Sequence, residues 1–160
     1  DEANVELYSR HKVFSYAELR SRLEIRQEEY CKLVTIEGKT ALAMARREIL
    51  PAVSTFAARL AASAVSLRAA LPGCRAEFEL GTAESLVQLS DAAYGLARQL
   101  EDELTHAAQL RSPEEKSFFL HDHVLPVMGA LRAACDDMET ITGEDSWPIP
   151  TYGELLFGVK

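Results

Sequence analysis

Residues 15–71 carry one unbroken helical pattern, and a chain of 160 residues that commits more than a third of its length to a single helix has few ways to fold. The pattern opens at Ser15-Tyr16-Ala17-Glu18, where the serine hydroxyl can accept from the amide of Glu18 and the Glu18 carboxylate can return the bond. Behind this capping box, apolar or small residues recur at steps of three, four or seven: Leu19, Leu23, Tyr30, Leu33 and Val34, Ala41, Ala45, Ile49, Val53, Phe56, Leu60, Ala64 and Leu67. The opposite face carries Arg20, Arg22, Glu24, Glu28, Glu29, Lys39, Arg47, Glu48 and Arg59, which suits water. Pro51 is the one strong internal breaker. It lacks the amide that would bond the Arg47 carbonyl and it crowds the preceding turn, so the reading predicts a kink there. Leu71-Pro72-Gly73 ends the run, because the residue before proline avoids the helical region and glycine relaxes the turn.

Two shorter helices follow. Leu86, Leu89, Ala93, Leu96, Leu100, Leu104 and Ala107 step by three and four, which places a second helix over 82–110, with 72–81 as its connection. Ser112-Pro113-Glu114-Glu115 supplies a cap, a proline at the first helical position and a carboxylate at the third, and starts a third helix over 113–142. Its stripe is Leu120, Val124, Val127, Leu131, Ala134, Met138 and Ile141, bent at Pro126 and stopped by Gly143. Gly95 and Gly129, set among alanines, point to close helix approach. Short connections make neighbours antiparallel, so the predicted fold class is all-α: an up-down-up bundle built on one very long, Pro-kinked helix after a lead-in at 1–14. The tail at 143–160 is extended through Trp147-Pro148-Ile149-Pro150 and ends in a short helix from Thr151-Tyr152-Gly153-Glu154. Trp147, Tyr152, Leu155 and Phe157 make it a docking segment.

Composition narrows the function classes. A formal net charge of −8 without long Lys/Arg clusters argues against nucleic acid and against an anionic membrane surface, which both call for a basic face. Arg59 and Arg68 interrupt the best apolar run, at 49–71, so no membrane span is expected. Cys31, Cys74 and Cys135 are odd in number and widely spaced, which fits buried thiols in a reducing cytoplasm better than a disulfide framework or a zinc site. The opening Asp-Glu-Ala-Asn has no basic-apolar signal segment, and the first methionine is Met44, so the chain is expected to be a piece of something longer.

Catalytic signals are few. Glu103-Leu104-Thr105-His106 has the Glu-x-x-His spacing of two-metal bundles, but one copy alone, even with His123 or Glu139, falls short of that ligand set, and a charged pair on a helix flank usually faces water. His121 and His123 are two apart and diverge on a helix. Glu101-Asp102-Glu103 and Asp136-Asp137 lack the glycine-turned loop of a calcium site. No phosphate loop, nucleophile elbow or Ser/His/Asp order is present. The reading therefore assigns no catalytic, cofactor-binding or metal residue.

The stretch Glu6-Leu7-Tyr8-Ser9-Arg10-His11-Lys12-Val13-Phe14-Ser15, continuing through Glu18-Leu19-Arg20-Ser21-Arg22, Glu29-Tyr30 and Glu48-Ile49-Leu50-Pro51-Ala52, resembles the C-terminal region of type III glutamine synthetases. The closing Trp147-Pro148-Ile149-Pro150-Thr151-Tyr152-Gly153-Glu154-Leu155-Leu156-Phe157 is similar to that family's last residues. The resemblance implies a parent ligase of nitrogen metabolism that joins ammonia to glutamate with ATP and magnesium or manganese ions, in a double-ring oligomer. The family's nucleotide, metal and glutamate motifs are missing here, so the fragment is expected to be inactive by itself. Its expected partners are the catalytic core of the same enzyme and other subunits of a homo-oligomer. Two other readings stand beside this one: a free-standing helical interaction module, and a metal-binding bundle.

Helix arithmetic gives the interface candidates. At 1.5 Å per residue the long helix spans roughly 80 Å and its two partners only about 45 Å each. With short turns fixing the pairing, the partners cover the half from residue 43 to 71. Leu19, Leu23, Tyr30, Leu33 and Val34 are then expected to face something outside the bundle.

Overall fold

The computed structural model describes residues 2–150 and 152–158, the side chains of Glu2, Tyr152 and Gly153 excepted, and every regular element among them is helical. Helix α1 covers Glu2–Arg10. The chain reverses through Lys12, whose φ of 54° is left-handed, and enters α2, Tyr16–Met44, at the capping box. Ser15 N–H donates to the Glu18 carboxylate at 2.7 Å, and the Glu18 amide donates to Ser15 Oγ at 3.3 Å. A π turn, Ala45–Ile49, joins α2 to α3, Leu50–Ala70, and the whole forms one 55-residue helix.

That π turn is how the helix accommodates Pro51. Proline offers no N–H to the turn behind it, and the backbone responds by widening one turn, so that Leu50 N–H donates five residues back, to Ala45 O. The same device recurs in the third helix. There a π turn at Leu120–Val124, with Leu125 N–H donating to Leu120 O, precedes Pro126. Each turn stops two residues short of its proline. The expected distortions at both prolines thus take one defined form.

Helix α4, Glu77–Gln109, begins five residues before the expected Thr82. Its start has no side-chain cap, because Ala76 stands there in a left-handed conformation at φ 49°. Glu77 and Glu79 in the first turn compensate by facing the positive end of the helix dipole. The third helix is α5, Pro113–Phe119, the π turn, and α6, Leu125–Ile141. Ser112 accepts from the Glu115 amide at 3.4 Å. Ser112→Ala is expected to cost about 1 kcal/mol of stability in urea unfolding, the usual loss for a capping hydroxyl.

The core follows a three-four spacing. Ala83, Leu86, Ala93, Ala97, Leu100, Leu104 and Ala107 form the buried seam of α4, which packs against α3 on one side and α6 on the other. Leu120, Val124, Val127, Leu131, Ala134 and Met138 answer from the third helix. Close approach occurs at Gly38, where a Cβ would stand 3.1 Å from Leu104 Cδ2. Gly95 and Gly129, expected to mark it, have nothing within 4 Å of that position. The long helix also holds an 18-residue window apolar enough, by length and composition, to cross a membrane, contrary to the reading from Arg59 and Arg68. Only 22% of that window is buried; in α3 the buried residues are Val53, Ala57, Leu60 and Ala64.

Beyond α6 a short 3-10 turn, Glu144–Ser146, lies against α3, where a Cβ on Gly143 would stand 3.2 Å from the Phe56 ring. Trp147 and Ile149 are half-buried against the core. Helix α7, Tyr152–Phe157, follows; the cap expected from Thr151 and the docking expected of the Tyr152 side chain lie outside the described residues.

Candidate docking surface

The partners of the long helix reach further along it than helix lengths alone suggest. Val34 is 3% exposed and Cys31 5%, and the Cys31 thiol donates to Pro113 O at 3.6 Å. Val34 therefore belongs to the core and not to an open face. The reason is additive: α4 runs 33 residues, back to Gly38, and the turn after it and α5 then continue along α2. Leu33, one position round the helix from Val34, points outward at 57% exposure.

Towards the N-terminus the stripe outlasts its partners. Tyr30 is half-buried against the core, and among the described residues its enclosed hydroxyl has no hydrogen-bond partner. Burial first, then the neighbouring Cys31, Asp122 and Glu37, pushes its phenol up. Leu19 is half-buried and Leu23 is 56% exposed. Helix α1 folds back on this end, with the Tyr8 and Phe14 rings 5.8 Å apart and Arg22 over the Phe14 ring at 4.5 Å. Even so, Leu7, Tyr8, Val13, Tyr16 and Ile25 remain exposed, as Leu23 does. At the other end of the chain Leu155, Leu156 and Phe157 are exposed on α7.

The metal candidates resolve differently. His106 and His123 both pack on Phe119, with ring centroids 4.6 and 4.5 Å away, and His121 Nδ1 sits 2.7 Å from the Asp122 carboxylate. Among the described residues no three His, Cys, Asp or Glu side chains gather as a metal site would require. Glu103 and Glu139 are half-buried at helix flanks. Burial pushes the Cys135 thiol up to about 11 and raises Cys31 as well, which keeps both as thiols.

Two surface hollows leave no signal in the sequence, because each joins residues far apart in it. One, of about 600 Å³, lies over Arg46, Tyr94, Arg98 and Glu101, where Arg46 donates to the Glu101 carboxylate at 2.7 Å. That bond holds Glu101 below its ordinary range and raises Arg46. The other, of about 380 Å³, lies between α2 and the turn into α5. Ile36, Leu110 and Pro113 line it together with Lys32, Arg111, Lys116 and Glu28, whose carboxylate lies 3.6 Å from Lys32 Nζ.

The sequence family described as Glutamine synthetase C-terminal domain matches residues 1–68. A glutamine synthetase of Butyrivibrio fibrisolvens is 30% identical over 158 residues, which are 98% of this chain and 22% of that protein. The type-3 glutamine synthetase of Dictyostelium discoideum is 26% identical over 167 residues, 98% of this chain and 22% of its own. A glutamine synthetase of Bacteroides fragilis is 25% identical over 152 residues, 91% of this chain and 21% of its own. The chain spans about a fifth of the length of the curated relatives it matches.

Proposed function

We propose that the chain is a member of the glutamine synthetase C-terminal domain family, whose pattern matches residues 1–68, and that it serves packing and oligomer assembly in an ATP-dependent glutamate–ammonia ligase. The observation that carries this reading is the apolar stripe of the long helix, which runs past the end of the bundle through Leu23, in an N-terminal region where Leu7, Tyr8, Val13, Tyr16 and Ile25 are exposed as well. So many large apolar side chains exposed within the first 25 residues are the mark of a surface that another body covers. The catalytic core of the same polypeptide, or a neighbouring subunit, is the partner this reading assigns to it. ATP and magnesium or manganese belong in this proposal to that core and not to the helices described here. The cytoplasm is the compartment it assigns.

The test separates assembly from folding. Leu23 and Leu33 are both more than half exposed, so Leu23→Glu with Leu33→Glu is expected to leave the stability of the 160-residue chain within about 1 kcal/mol. In the full-length ligase the same pair is expected to weaken the oligomer, measured as a fall in mass by light scattering at micromolar subunit concentration. An oligomer of unchanged mass would refute the assignment of this stripe.

A further inference from the structure

We infer that the π turn at Ala45–Ile49 is a phase device: the one residue it adds keeps a single partner, α4, on the same side of the long helix from α2 into α3. Pro51 fits the widened turn, but the burial pattern is what requires it. Ala45, Ile49, Val53 and Ala57 are buried at three successive steps of four. Three such steps, at about 100° per residue, overshoot three whole turns of an α-helix by about 120°. In an unbroken α-helix the buried set of α3, Val53, Ala57, Leu60 and Ala64, would therefore point roughly 80° away from the buried set of α2, Cys31, Val34 and Gly38. A π turn spends one more residue on the same rotation, which takes back about 100° and leaves the two sets within about 20° of each other. Helix α4 accordingly lies against α2, the π turn and α3 in succession.

The third helix puts the same insertion to the opposite use. Leu120, Val124, Val127 and Leu131 are buried at steps of four, three and four, which an α-helix keeps on one face by itself. The π turn there rotates α6 against α5 by about 100°, and the two face different partners: α5 lies against α2, and α6 packs chiefly against α4. Each turn stops two residues before a proline, so the proline does not decide whether a face is kept or changed; the spacing of the buried residues does. In the long helix the consequence reaches the outer end. Leu23 lies about three whole turns before Val34 and shares its side of α2, so the turn also sets the direction in which the Leu23 end is presented. This holds whatever covers that end.

The test is a pair of single-residue deletions in the 160-residue chain, with Pro51→Ala as their common background and the urea midpoint as the readout. Pro51→Ala alone is expected to keep a cooperative transition, because the buried seams and not the proline impose the widened turn. Deleting exposed Arg47 as well shortens that turn to an ordinary α turn while both buried sets stay in phase, and the midpoint is expected to remain within about 0.5 M of the background. Deleting exposed Ser54 instead displaces either Ile49 and Val53 or Ala57, Leu60 and Ala64 from the core, and the midpoint is expected to fall by about 1.5 M or more. A loss beyond about 0.5 M on deleting Arg47, a loss no larger on deleting Ser54, or a Pro51→Ala chain without a cooperative transition each overturns the proposal.

Discussion

Leu100→Ala is expected to lower the unfolding free energy by about 3 kcal/mol, read as a shift of the urea midpoint at unchanged slope. Leu100 is fully buried at the middle of the α4 seam, where that helix faces the long helix and the third helix together. Removing its isobutyl group forfeits the transfer free energy and leaves a cavity that two flanking helices, tied by their own seams, close poorly. Leu131→Ala, at 1% exposure in α6, is expected to behave alike. A loss below about 1 kcal/mol at both positions would mean that the seam collapses freely and that α4 is not the central element described here.

Leu23 and Leu33, apolar like Leu100 but open to water, mark the limit of what the order of residues alone reveals. A helix announces itself through its caps and its stripe, so Ser15, Ser112 and the three-four spacings suffice to place most elements. Start signals mislead when the backbone dispenses with them: α4 opens on a left-handed Ala76, a residue that carries no capping group, whereas Thr82 offers a hydroxyl that the helix does not use as its cap. Periodicity tells which side of a helix is apolar but not how far a partner covers it. It therefore groups Val34 with Leu23, although the turn at Pro113 reaches Cys31 and seals the stripe at that level. Composition draws Leu33 into the same group, yet adjacent residues on a helix lie about 100° apart, and only one of Leu33 and Val34 can face inward. The hollow between α2 and the turn into α5 is illegible for another reason. Lys32, Arg111 and Lys116 meet only because α4 is as long as it is, and that length depends on the early start at Glu77.

Alkaline solution is expected to destabilise the fold through Cys135, by about 2–3 kcal/mol between pH 9 and 11. The thiol is 7% exposed on α6, and burial, reinforced by the charge of Asp136, raises it from 9.0 to about 11. In the unfolded chain it ionises near its ordinary value, while the folded chain still holds the proton. Over that interval the unfolded state binds fewer protons, so stability falls as pH rises, at about 1.4 kcal/mol per pH unit. Below pH 9 the contribution is fully present; above 11 both states are ionised and the loss levels off. Cys31, also raised by burial, acts in the same direction, so the signature of Cys135 is a difference. Cys135→Ala removes the ionisable group, and its urea-derived stability is expected to decline less steeply than wild type from pH 9 to 11, the two curves converging by about 2–3 kcal/mol. Parallel curves would show that the Cys135 thiol ionises as readily in the folded chain as in the unfolded one, and that this face of α6 admits water that the packing of Leu131, Ala134 and Met138 around it excludes.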